Sequence, residues 1–392
     1  MYLLALVLCS GGLAYAHGAN IQANWHVAQW EDTMFFRYNS DEVHSVPECF
    51  EKRGVWQGLY RPLTTNLYYY IGHKAFGDRV EPYHLINLIF LVLNALLLYR
   101  LAELFMGRWW AMIPAVLFAS RYALVEVVLH TCEFQGLFYV FLSILSVDCF
   151  VRSRRSPRSV SWSFLAVSGG AFVLALLSKE TAIAVPAVLV LYGRLFDDSI
   201  ARREYLLHPA IAVAWVLPFW LLTRHQSAGF SHDFSMFNIL RNYGAYFLDF
   251  SNWVLTPFND PIMPARVPAF AGKLPVRSSF TALIVLEALV FAFPKMLKTQ
   301  EQRVIAFGFG WFLATTLPFA IFASRLFMRY SYLGHAGLAL SAGAIACGGT
   351  QLIRHVRPVA AANLPRSAVV WKHDIVPQVG QRVSPSPSAL DS

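Results

Sequence analysis

Nine long apolar runs, joined by polar connections, constrain this chain more than any other feature, at about 83–106, 109–128, 133–151, 161–178, 181–196, 207–223, 280–294, 304–322 and 330–352. A helix needs ~20 residues to cross a hydrocarbon core, where every backbone polar group must be satisfied internally. Several runs are shorter than that. A tenth apolar stretch, Tyr2 to Ala16, precedes them. Ala14-Tyr15-Ala16 has the small-residue form of a signal-peptide cleavage site. No Lys or Arg precedes the stretch and many spans follow it, so a first transmembrane helix is the preferred reading. With 56% hydrophobic and 14% charged residues, the chain is far from the ~25% charged content of soluble domains. The expected class is an all-α polytopic membrane protein of about ten transmembrane helices.

The net charge of +9 is not gathered on one domain, so no nucleic-acid partner is expected. Arg100 and Arg108, then Arg152, Arg154, Arg155 and Arg158, then Arg194, Arg202 and Arg203, then Lys295, Lys298 and Arg303 fall in alternate connections. The positive-inside rule makes that side cytoplasmic, with both termini. Two long loops, 17–82 and 224–279, then face the other compartment. The expected organisation is a transmembrane domain over 1–352 and a disordered cytoplasmic tail over 353–392, rich in Pro and Ser. The five cysteines are scattered singly, which indicates neither a zinc site nor a disulfide framework, and no metal is expected.

The polar residues of the extracytoplasmic side carry the functional expectation. Glu31 and Asp32 stand together shortly after the first apolar stretch. His130, Thr131 and Glu133 follow the intramembrane Glu126. Ser178-Lys179-Glu180-Thr181 links two spans, and Arg325 precedes Arg329-Tyr330-Ser331-Tyr332. Ionisable groups at such depths are costly unless they pair or face a polar cavity. Lys179 and Glu180 could pair locally, and the arginines could snorkel to headgroups. Convergence of the whole set on one face favours a shared site instead. Carboxylates with several cations suit a substrate whose phosphate sits at headgroup level, since Arg grips phosphate through a planar fork and Lys as a point charge.

These residues resemble motifs of the GT-C membrane glycosyltransferases, close to the protein O-mannosyltransferases and their tetratricopeptide-bearing relatives. Glu31-Asp32 matches that family's acidic pair, and Asn39 to Val43 its following polar motif. Tyr60-Arg61-Pro62-Leu63-Thr64 and Pro82-Tyr83-His84-Leu85-Ile86-Asn87-Leu88 match its next two. Val125-Glu126, then Leu177-Ser178-Lys179-Glu180 with Ala184-Val185-Pro186, keep the order. Arg329-Tyr330-Ser331-Tyr332-Leu333 and Gly337-Leu338-Ala339-Leu340 complete it. The resemblance covers roughly 1–352. Arg121-Tyr122-Ala123-Leu124 departs from the family's histidine-proline-x-histidine, the acidic pair is Glu-Asp, and the tetratricopeptide array is absent.

The resemblance implies a GT-C-like bundle and transfer of mannose or another hexose, with inversion, from a polyisoprenyl-phosphate donor to a hydroxyl. The acceptor could be a protein, a glycan or a lipid, and the setting a bacterial inner membrane or the endoplasmic reticulum. Glu31 or Asp32 would be the base. Arg329, then Arg325, Lys179 and Arg61, would hold the donor phosphate, with no cofactor. His84, Glu126, His130, Glu133, Glu180 and Tyr330 are further site candidates. A transporter or flippase of a lipid-linked solute, or an inactive subunit of the same fold, are the alternatives.

Overall fold

The computed structural model describes residues 1–28, 30–52, 59–120, 127–155, 161–197, 203–223, 233–255, 297–321 and 328–362. It contains helices and no strand among the described residues. The chain divides into two units, Met1–Gly348 and Gly349–Ser392, and the bundle with its site belongs to the first.

The helices are α1 (Tyr2–Asn24), α2 (Trp30–Glu42), α3 (Val46–Glu51), a π-helical turn (Pro62–Leu67), α4 (Tyr68–Phe76), α5 (Val80–Met106) and α6 (Met112–Ala119). A 3₁₀ turn at Thr131–Glu133 leads into α7 (Phe134–Arg154), followed by α8 (Trp162–Ser178). A second 3₁₀ turn, Glu180–Ala184, opens α9 (Val185–Phe196). Then come α10 (Leu207–Thr223), α11 (Met236–Leu255), α12 (Gln300–Ala320) and, after the 3₁₀ turn Met328–Ser331, α13 (Tyr332–Ala362).

Among the described residues, four helices are long and apolar enough to cross a membrane: Val80–Met106, Thr131–Arg154, Arg203–Leu221 and Gln300–Ala320. Tyr2–Gly11 and Trp162–Ser178 are shorter apolar helices. The runs expected at 83–106, 133–151, 161–178, 207–223, 304–322 and 330–352 all overlap helices. Those at 280–294 and part of 109–128 lie outside the described residues, as do most of 224–279 and 353–392. The run at 181–196 is divided between a 3₁₀ turn and the twelve-residue α9.

Helix α7 is the central post. In its apolar window 83% of residues are buried inside the protein, against 17% for Arg203–Leu221. The latter keeps Val213, Leu217 and Trp220 on its surface, as a lipid-facing helix should. α7 packs along α8 and α5, and α9 and α11 both pack on α12. Two of the bundle's basic residues share one buried carboxylate. Buried Asp148 on α7 takes Arg152 Nε at 2.9 Å and Arg100 Nε at 3.1 Å.

The two long stretches expected as extracytoplasmic loops contain helices among their described residues. Within 17–82, α1 runs on to Asn24, and α2, α3, the π turn and α4 fold over the bundle end. Within 224–279, α11 forms a twenty-residue amphipathic helix. It buries Asn238, Asn242, Ala245, Tyr246 and Phe250, one side of a 3.6-residue period. Both segments are too polar for a span, yet each has one apolar face to bury.

Candidate functional site

The site is built where α2 meets the turn that starts α7. Asn87 on α5 fixes that turn by donating to the carbonyls of Val127 (3.1 Å) and His130 (2.8 Å). Glu31 and Asp32 occupy the first turn of α2, where negative charge offsets the helix dipole. Asp32 is fully buried. Its Oδ1 accepts from Thr131 N–H and the Thr131 hydroxyl, both at 2.8 Å, and from Cys132 N–H at 3.4 Å. The Thr131 hydroxyl proton is thus committed to Asp32, so Tyr69 OH donates to Thr131 Oγ1 across 2.9 Å. Beneath the pair lies an aromatic box of Phe35, Phe36, Tyr69 and Tyr83. Phe35 stacks on Tyr69 with centroids 5.0 Å apart.

Glu31 sits differently. Its side chain keeps 25% exposure, its Oε2 accepts from Cys132 Sγ at 3.2 Å, and His130 Nδ1 lies 3.8 Å away. The donor atoms of Glu31, His130 and Cys132 lie within 4.8 Å of one another. An oxygen, a nitrogen and a sulfur so grouped are a donor set that zinc accepts. The spacing of these residues in the chain had suggested no metal site; the fold closes a gap of about a hundred residues.

The second half of the site centres on Arg61, just before the π turn. Its Nε donates to Glu180 Oε2 at 2.7 Å, its Nη2 to Glu180 Oε1, and its Nη1 to Gln135 Oε1 at 2.7 Å. This is a two-pronged Arg–carboxylate pair, so Glu180 pairs with Arg61 across the fold rather than with its neighbour Lys179. Burial pushes the Glu180 carboxyl up, and the Arg61 charge and hydrogen bonds outweigh it, leaving its pKa below the usual carboxylate range. Burial pushes Arg61 down and Glu180 reverses that, so Arg61 ends above its ordinary value. Thr64 of the π turn donates to the Ser178 carbonyl at 2.7 Å, tying this segment to the end of α8.

Lys179 follows directly and is 3% exposed. Its Nζ stands over the rings of Tyr139 (5.1 Å), Tyr330 (5.3 Å) and Phe319 (5.7 Å), a cation–π cage supplied by α7, α12 and the last 3₁₀ turn. Phe319 and Tyr330 stack with centroids 4.9 Å apart. Glu133 is buried in the turn opening α7, with an oxygen 3.0 Å from where a Cβ on Gly136 would stand. His84 is buried on α5 and bonds the Trp25 carbonyl at 2.9 Å, anchoring the exit of α1. Arg329 lies in the 3₁₀ turn Met328–Ser331, its side chain outside the described residues. Glu126 and Arg325 also lie outside them.

The fold therefore brings Glu31, Asp32 and His130 together, and Arg61 with Glu180 beside Lys179. Sequence reasoning missed Thr131 as an anchor, Cys132, Gln135, Tyr139 and Phe319. Thr131 and Cys132 stood between two named residues, His130 and Glu133, which was the available signal. Nothing local marked Gln135, Tyr139 or Phe319.

No family model and no curated protein matches the chain. Among solved structures, the chain is similar to the crystal structure of ArnT from Cupriavidus metallidurans in the apo state. The two share 13% identity over 86% of this chain and 78% of that one, with a TM-score of 0.42.

Proposed function

We propose that this protein is a membrane glycosyltransferase that moves a sugar, mannose or another hexose, from a polyisoprenyl-phosphate donor to an acceptor hydroxyl with inversion. The observation that carries the reading is the contrast within the acidic pair. Asp32 is buried and accepts three hydrogen bonds from the 131–132 turn, whereas the adjacent Glu31 keeps a quarter of its side chain exposed. A base must reach the proton it abstracts, so Glu31 takes that role and Asp32 positions it.

In the step proposed, the acceptor oxygen attacks the anomeric carbon as Glu31 takes the hydroxyl proton. The bond from that carbon to the phosphate oxygen breaks, and the lipid phosphate leaves with the electron pair. A phosphate leaving group needs charge stabilisation rather than a strong acid. Lys179, buried in its aromatic cage, is assigned that purpose. Arg61 is committed to Glu180 and acts by fixing the π turn. Arg329 and Arg325 remain assigned to the donor phosphate, on the resemblance of their motif alone.

The test is transfer from a radiolabelled polyprenyl-phosphate hexose in membranes carrying the full chain, with the anomeric configuration of the product determined. Inverted product supports the proposal. Retained configuration rules out the single displacement, and donor moved across the membrane without transfer favours a transporter.

A further inference from the structure

A polar cavity of about 360 Å³ lies at the other end of α7, bounded by Arg154 and Arg155, by Asp197 after α9, and by Lys298 and Arg303 around the start of α12. α7 has 21 residues, so at ~1.5 Å per residue it spans about 31 Å. That is the thickness of a hydrocarbon core. With α7 as a membrane span, the cavity lies at headgroup level on the face opposite the acidic pair.

Its charges do not balance. Arg154, 3% exposed, is taken up by Asp197 at 2.8 Å and Glu204 at 3.7 Å. Arg155 donates to the Leu104 carbonyl, with its guanidinium over the Phe105 ring at 4.8 Å. Arg303 Nε reaches only the Leu297 carbonyl, at 3.4 Å. Among the described residues, no carboxylate pairs with Arg155, Lys298 or Arg303. Three cations thus face one cavity after the carboxylates are spent on Arg154. Such convergence repels itself unless an anion neutralises it. Tyr192 and Phe196, stacked at 5.5 Å, supply an aromatic wall beside the charged floor.

We propose that this cavity binds a phosphate-bearing anion, presented as the headgroup of an anionic membrane lipid. Basic pockets between membrane helices recognise headgroups in this way. The inference does not rest on the glycosyltransferase reading.

The test is thermal unfolding of the purified full chain in detergent, titrated separately with phosphatidylglycerol, phosphatidylcholine and inorganic phosphate. Phosphatidylglycerol raises Tm and phosphatidylcholine does not. In Lys298→Gln/Arg303→Gln the half-saturating phosphatidylglycerol concentration rises about 25-fold, about five-fold for each cation lost. Lys298→Arg/Arg303→Lys keeps the wild-type response, which separates charge from folding. Should the double neutral variant not fold, Lys298→Gln alone, at an exposed position, carries the five-fold expectation. An equal response to both lipids, or a wild-type response in the neutral variants, overturns the proposal. Saturation by inorganic phosphate at the same sites overturns the lipid as the source.

Discussion

At the scale of single residues, two carboxylates that are neighbours in sequence stand in different surroundings. Asp32 is a structural anchor: Asp32→Ala strands the Thr131 and Cys132 N–H groups and the Thr131 hydroxyl in a buried turn. The expected cost is about 2–3 kcal/mol, read from denaturant or thermal unfolding in detergent. Glu31→Gln keeps the shape and leaves that stability within about 0.5 kcal/mol. The Arg61–Glu180 pair behaves as a unit. Arg61→Ala is expected to cost about 3 kcal/mol by leaving a mostly buried carboxylate, and Arg61→Ala/Glu180→Ala to recover part of it, a coupling that a double-mutant cycle measures. The pH dependence follows from the depressed Glu180 pKa. A carboxylate that ionises more readily folded than unfolded stabilises the protein above its unfolded value, about 4.3, and loses that contribution as pH falls through the folded value. The Tm of wild type should thus drop more steeply below pH ~4.5 than that of Glu180→Gln.

At the scale of elements, α12 and α13 cross with no room for side chains. A Cβ on Gly308 or on Gly337 would fall on the other glycine's carbonyl oxygen, and Ser341 donates to the Ile305 carbonyl at 2.9 Å beside them. Close approach through small residues is how helices associate in lipid. Gly337→Ala is expected to cost more than about 2 kcal/mol through overpacking, whereas Gly170→Ala, open on α8, is neutral to mildly stabilising; unfolding of both variants checks this. The same level shows what the sequence made legible. Helices such as α5 and α7 announce themselves as apolar runs because lipid or core surrounds them on every side. Helices α2, α4 and α11 do not, since each buries one face at the bundle end and a hydropathy window averages that face with the polar one. The site was half legible for a related reason. Charged groups such as Glu31, Asp32, Lys179 and Glu180 stand out in an apolar chain. Thr131, Gln135 and Tyr139, the partners of Asp32, Arg61 and Lys179, look ordinary until the fold closes separations of 99, 74 and (179 − 139) 40 residues.

At the scale of the whole molecule, α7 joins two chemically distinct ends. Its N-terminal turn holds the acidic pair and the Arg61–Glu180–Lys179 group, and its C-terminal end lines the basic cavity. The arrangement suits a protein that meets an anionic lipid on each face, one as substrate and one as a structural ligand. The residue-scale division of labour carries the functional claim, so the decisive comparison is sugar transfer by Glu31→Gln against wild type, each at matched expression and matched Tm. Glu31→Gln is expected to lower the transfer rate by about 10²–10⁴-fold, the usual contribution of a general base, while the protein stays folded. Undiminished transfer by folded Glu31→Gln would remove Glu31 from the mechanism and contradict the account.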